Sequence, residues 1–183
     1  MILFVNACVR GQSRTYRLAK QLLDTLEGEI KEVKLENVEF PILDEEFINR
    51  RESLKNAGQY DDPMFSLGKD FANADAIVVA APYYDLSFPA MLKQYFEQIN
   101  VLGLTFTYSE SGTPKGLCKA KEFYYVTTAG GPILSDEYGF GYVKALANTF
   151  YGIDDVYQIK AEGLDVVGAD VELILKNVSI EEE

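Results

Sequence analysis

The chain contains no histidine. That absence removes the Ser-His-Asp and Cys-His constellations of hydrolases, and every imidazole metal site, in one step. Any chemistry must rest on another base or on a bound cofactor. Cysteine is nearly as scarce: Cys8 and Cys118 are too few for a disulfide framework or a zinc cluster and suit a reducing compartment. No apolar run approaches membrane-spanning length, and the short apolar start, residues 1–6, lacks the basic flank and long hydrophobic region of a secretory signal. The expected location is therefore cytoplasmic. Positive charge is also sparse. The 17 Lys and Arg stand against 29 Asp and Glu, a formal charge of −12 that argues against nucleic-acid or anionic-membrane partners. Repeats, linkers and low-complexity segments are missing too, apart from an acidic tail, residues 181–183, expected to fray. The 183 residues, 48% of them apolar, read as a single domain over residues 1–183. A domain of this size buries roughly two thirds of its unfolded surface, enough for a sheet covered on both faces.

The hydrophobic pattern alternates between short apolar runs and helical periodicity. Residues 2–5 form a strand-like run, and residues 16–26 place Leu18, Ala19, Leu22, Leu23 and Leu26 on one helical face before Gly28 stops the helix. Residues 30–35 alternate as a second strand would, with Val33 and Leu35 on one side. Residues 37–62 have no clean period and read as an excursion with helical pieces that forms a rim or lid. A helix from Pro63 through Phe71 precedes residues 76–81 (AIVVAA), a run without polar alternation that suits a strand buried on both faces. Pro89 starts a helix with Leu92, Tyr95, Phe96 and Ile99 at three- and four-residue spacing. Strands over 123–127 and 156–159, with helices over 142–150 and 171–175, complete a doubly wound α/β pattern.

In such sheets ligands bind beyond the carboxyl ends of the strands, where the winding reverses. Three post-strand loops matter. The first, residues 6–15, brings Gly11, Ser13 and Thr15 to a helix N-terminus whose unpaired amides favour an anion. Charge placement agrees: the first 23 residues hold Arg10, Arg14, Arg17 and Lys20 and no acidic residue. The same residues also read as a helix capped by Ser13 with a solvated basic face. The second loop, residues 82–89, carries Tyr83 and Tyr84 between stiffening prolines, either as walls for a flat heterocycle or as core under the sheet edge. In the third, Thr127, Thr128, Gly130 and Gly131 supply hydroxyls and close backbone approach, or simply a tight turn.

The first loop is neither a G-x-G-x-x-G fingerprint nor a Walker A loop, and residues 112–116 (GTPKG) imitate the latter only weakly. Cys8 followed by Arg14-Thr15 does match the C-x5-R-S/T pattern, and so resembles the low-molecular-weight tyrosine phosphatases. That resemblance implies a Cys8 thiolate nucleophile, Arg14 on the phosphoryl oxygens and an Asp as acid. Cys8 comes two residues later than in that family, however, and the only Asp-Pro pair is Asp62-Pro63 instead of one near the C-terminus. A small buried cysteine in a turn is the plainer reading.

A longer resemblance runs through APYYDLSFPAMLKQYFEQI (81–99), GLTFTYSESGTPKGL (103–117), VTTAGG (126–131) and FYGIDDVYQIKAEGLD (150–165). Taken in order, with the Ser13-Arg14-Thr15 loop added, these segments resemble the FMN-dependent NADH azoreductase and quinone reductase family. The resemblance implies a flavodoxin-like, three-layer α/β/α fold on a five-stranded parallel sheet. It also implies a homodimer with FMN near the subunit contact and NADH or NADPH as hydride donor. By position, Ser13, Arg14 and Thr15 would hold the phosphate, Pro82, Tyr83, Tyr84, Asp85 and Leu86 would line the isoalloxazine, and Thr127, Thr128, Gly130 and Gly131 would flank its other side. The activity implied is ping-pong hydride transfer through flavin N5 to quinones, azo compounds or similar flat acceptors, which needs no histidine because the cofactor carries the chemistry. A flavodoxin-type electron carrier is the non-enzymatic alternative. Three departures stand out: Ala7 replaces the family's serine, Asp85 its asparagine, and its histidine beyond the glycines is missing. A carboxylate close to a reduced, anionic flavin would raise its energy.

Overall fold

The computed structural model describes residues 1–178 and the backbone of Glu181 and Glu182. Five parallel strands, β1 (Ile2–Asn6), β2 (Ile30–Lys34), β3 (Ala76–Ala80), β6 (Glu122–Thr128) and β7 (Asp155–Ala161), lie in the order β2-β1-β3-β6-β7. The remaining strands are β4 (Phe106–Tyr108) and β5 (Pro114–Gly116), an antiparallel hairpin, and β8 (Glu181–Glu182), which pairs antiparallel with β7. The tail expected to fray is thus paired at these two residues; Glu183 lies outside the described residues. The winding reverses between β1 and β3, so the loops that leave these two strands diverge and open a crevice at their carboxyl ends.

The central strands are apolar on both faces because both are covered. Leu3, Val5, Ile77, Val79, Phe123 and Tyr125 face α3 (Ser66–Asn73), α4 (Ala90–Ile99) and α5 (Phe140–Leu146). The alternate residues Ile2, Phe4, Val78, Ala80, Tyr124 and Val126 face α1 (Arg14–Leu23) and α6 (Val171–Lys176). This two-sided burial explains the missing polar alternation in residues 76–81. Phe71 packs on Tyr151 at 4.6 Å between ring centroids, joining α3 to the chain beyond α5.

Several boundaries differ from the sequence reading, each for a local reason. The helix expected over 16–26 starts at Arg14, where Ser13 caps it, and ends at Asp24, after which the Thr25 hydroxyl donates to the Leu22 carbonyl at 2.7 Å. Leu35 leaves β2 for a single 3-10 turn and is buried there. The excursion holds α2 (Glu45–Asn56), capped by the Asp44 carboxylate on the Phe47 amide at 2.9 Å and carrying no buried residue. The helix expected from Pro63 is a 3-10 turn that gives way to α3 at Ser66. The helix expected over 142–150 is shorter and earlier. It starts at Phe140, widens into a π turn over Ala147–Tyr151 and stops at Gly152, whose φ is 71°. No described helix is long and apolar enough to cross a membrane.

Candidate functional site

Beyond the carboxyl ends of β1, β3 and β6, a cavity of about 580 Å³ opens, within the range of roughly 300–1,000 Å³ typical of small-molecule sites. Its floor begins with the loop after β1. The Ala7 amide donates to the Ala80 carbonyl and the Cys8 amide to the Asn6 side-chain oxygen, both at 2.9 Å, which carries the chain across β3 before it turns into α1. Ser13 closes the turn with its amide on the Arg10 carbonyl at 3.0 Å and its Oγ under the Tyr16 amide at 3.2 Å. Among the described residues, the amides of Arg14 and Thr15 in the first helical turn have no acceptor. These two donors and the α1 dipole form the anion-favouring end of the cavity.

The second wall is the loop after β3. The Tyr83 amide bonds the Thr128 carbonyl at 3.1 Å, and the Tyr83 hydroxyl donates to the Ser135 carbonyl at 3.4 Å. Tyr84 and Ser87 exchange amide–carbonyl bonds of 2.9 and 2.8 Å around Asp85 (φ 50°) and Leu86 (φ 69°). Two left-handed central residues make this a type I′ turn, a shape that normally selects Asn-Gly. The Ser87 hydroxyl ties the turn to the Tyr138 carbonyl at 2.6 Å. The third wall follows β6 and β7: Thr128 bonds the Thr15 hydroxyl at 2.7 Å, and Gly130 lies under the Asp165 carboxylate.

Of the twelve residues proposed from sequence, Ser13, Arg14, Thr15, Pro82, Tyr83, Tyr84, Thr128 and Gly130 line this cavity together. Asp85, Leu86, Thr127 and Gly131 are not in the lining. Asp85 and Leu86 are exposed on the turn beside it. Thr127 cannot share the wall with Thr128, because adjacent strand residues face opposite sides; it is buried on the α3–α5 face. Two expected roles also change. The Thr15 hydroxyl spends one of its bonds on the Thr128 hydroxyl, while its amide is an unpaired donor. Arg14 and Arg17, read as cations held ready for an anion, are paired with Asp165 and Glu172. Those two carboxylates, with Leu164 and Val171, line the cavity and escaped the sequence reading. The carboxyl-end rule would have reached residues 162–165, had it been applied after the last parallel strand as well.

The cysteine phosphatase alternative does not survive this geometry. Cys8 is buried with its thiol toward the Ala80 carbonyl at 3.8 Å, and that burial pushes its pKa up to about 11. A thiolate nucleophile needs the opposite shift. Cys118 is likewise raised by burial, to about 12.

The chain matches the family model described as "Flavodoxin-like fold" over residues 1–179. A Coprothermobacter proteolyticus protein named "FMN-dependent NADH:quinone oxidoreductase" is 37% identical over 185 residues, covering 93% of this chain and 90% of that protein. This chain belongs to that flavodoxin-like oxidoreductase family. A second member, "FMN-dependent NADH:quinone oxidoreductase 2" of Clostridium acetobutylicum, is also 37% identical, over 94% of this chain and 90% of its own length. In three dimensions the chain superposes on an FMN-dependent NADH-azoreductase from Bacillus anthracis, solved in complex with FMN. The TM-score is 0.78 and the identity 23%, over 96% of this chain and 92% of that one. At that identity the superposition speaks to the flavodoxin-like fold. The family's five parallel strands are the β2-β1-β3-β6-β7 sheet described above.

The donor set suits a flavin mononucleotide. One end of the cavity offers unpaired helix amides and the Ser13 hydroxyl among guanidinium groups, as a phosphate requires. The other end has the rigid, apolar Pro82-Tyr83-Tyr84 wall that a flat ring requires.

Proposed function

We propose that this chain is a cytoplasmic, homodimeric FMN-dependent NAD(P)H oxidoreductase that reduces quinones, azo compounds or similar flat acceptors. The observation that carries this reading is the convergence, in one cavity, of an anion-binding helix terminus and an aromatic wall at the point where the sheet reverses its winding. The names of the family members support it. Bound there, FMN supplies the hydride-accepting and hydride-donating atom, so the chain contributes no general base. Ser13 and the amides of Arg14 and Thr15 would hold the phosphate. Pro82, Tyr83 and Tyr84 would orient the ring, beside the turn through Asp85 and Leu86. One slot would serve donor and acceptor in turn, the arrangement expected of ping-pong kinetics.

Titration of the purified protein with FMN, followed by flavin fluorescence, tests the first step: stoichiometric quenching is expected, and a protein that ignores FMN overturns the reading. NADH oxidation with menadione or an azo dye tests the second, with parallel double-reciprocal plots as the ping-pong signature. Ser13→Asp places an anion where the phosphate belongs and should weaken FMN binding at least tenfold, roughly the 1.4 kcal/mol or more expected of like charges at contact. Unchanged affinity would remove Ser13 from the phosphate site.

A further inference from the structure

We propose that Asp165 sets how strongly the cavity holds a phosphate monoester, by competing with that phosphate for Arg14. The inference rests on the flavin reading above. Arg14 Nη1 donates to Asp165 Oδ1 at 2.7 Å across the cavity. The other carboxylate oxygen occupies the space of a missing side chain, since a Cβ built on Gly130 would lie 2.2 Å from Asp165 Oδ2. A glycine at 130 is thus what admits the carboxylate. Backbone bonds deliver it there: Asp165 to Gly130 at 2.8 Å, Leu164 to Ala129 at 3.2 Å and Gly163 to Gly131 at 3.1 Å. These bonds clasp residues 163–165 onto residues 129–131 beyond the end of the sheet and fix where Asp165 can reach.

The cavity lining therefore contains three guanidinium groups, Arg10, Arg14 and Arg17, against two carboxylates, Asp165 and Glu172. Its positive charge is largely cancelled before any ligand enters. The Arg14–Asp165 pair is half in water, with side-chain exposures of 37% and 69%, and ion pairs of that kind are weak enough to exchange. A phosphate carries more charge and more acceptor oxygens than a carboxylate and takes the guanidinium from it. The displaced carboxylate stays close by, held by these backbone bonds, and opposes the phosphate. Glu172 pairs with Arg17 from the first turn of α6, and among the described residues no glycine opens a slot for it, so it is the weaker competitor.

The test compares FMN with riboflavin, which lacks the phosphate, in fluorescence titrations of the full chain freed of flavin. Asp165→Asn is expected to tighten FMN about tenfold and leave riboflavin unchanged, the scale of one removed like charge near a dianion. Arg14→Gln should weaken FMN more in the Asp165→Asn background than in the wild type, because only there is Arg14 free of its carboxylate. Asp165→Ser removes the charge without the amide and must move FMN in the same direction, while Glu172→Gln should move it less. Weaker FMN binding in both Asp165 variants, or equal changes for FMN and riboflavin, overturns the inference: Asp165 would then only order the loop. A wild type that binds FMN, with variants that leave the FMN-to-riboflavin ratio unchanged, overturns this inference alone. A wild type that binds neither flavin overturns the flavin reading and the inference with it.

Discussion

Leu86 holds a φ of 69° next to Asp85 at 50°, and neither is glycine. A left-handed backbone costs an ordinary residue about 1–2 kcal/mol, and this turn bears that cost in full at Leu86 and in part at Asp85, because its hydrogen bonds to Ser87, and Ser87's to Tyr138, over-determine it. Leu86→Gly relieves one of the two strained positions and gives back about 0.4–1 kcal/mol through a more flexible unfolded chain. The net is a gain of about 0.5–1 kcal/mol, read as a rise in Tm of roughly 1–4 °C. A Tm that falls would show that the half-exposed leucine side chain packs more than it strains. The same turn carries Asp85. It is exposed on the turn and outside the cavity lining.

The hairpin of β4 and β5 packs edge-on against the π turn that follows α5, and the contact is a backbone one. A Cβ on Gly116 would lie 2.1 Å from the Tyr151 carbonyl carbon and 2.2 Å from the Gly152 nitrogen. Neither atom can rotate away as a flexible side chain would. Gly116→Ala should therefore force the hairpin off the body of the protein at a cost of about 3 kcal/mol, a drop in Tm of roughly 6–12 °C, whereas Gly112→Ala should cost only what its φ of 78° imposes. Equal effects from the two substitutions would locate the strain in the turn instead of the packing. This hairpin was invisible to the sequence pattern, because strands of three residues carry too few positions for a period of two to show. By contrast, β1 and β3 were legible in their unbroken apolar runs, β2 in its apolar–charged alternation, and α4 in its evenly spaced Leu92, Tyr95, Phe96 and Ile99. The loops at the switch point were legible by the same topological rule. What hydrophobicity and motif could not show was the pairing of charges across loops far apart in sequence. Arg14 and Asp165 are 151 residues apart, and only the fold makes them neighbours.

Across the whole molecule, the two ends of the sheet do different work. At the carboxyl ends, loops diverge and leave polar groups free for a ligand. At the amino ends the strands are tied together around Asp75, which precedes β3. Its amide donates to the Met1 carbonyl at 2.9 Å, its carbonyl accepts the Lys121 amide at 3.3 Å, and its carboxylate pairs with Lys119 and with the amino terminus. One residue thus joins the starts of β1, β3 and β6. Lys119 first, and the amino terminus second, lower the Asp75 pKa to about 2. With the folded value depressed below the ordinary carboxylate value of about 3.9, the unfolded chain takes up the proton first as pH falls. The stabilisation is therefore complete above about pH 4 and disappears as pH falls through 2. Asp75→Asn should lower Tm by a constant amount between pH 4 and pH 6, and the gap to wild type should close between pH 4 and pH 2. Because Asp75 is exposed, added salt should narrow the same gap at neutral pH. Thermal melts across this range check both effects. No gap between pH 4 and pH 6 would mean that the backbone bonds of residue 75, which the substitution keeps, and not its charge, hold the three strand starts together.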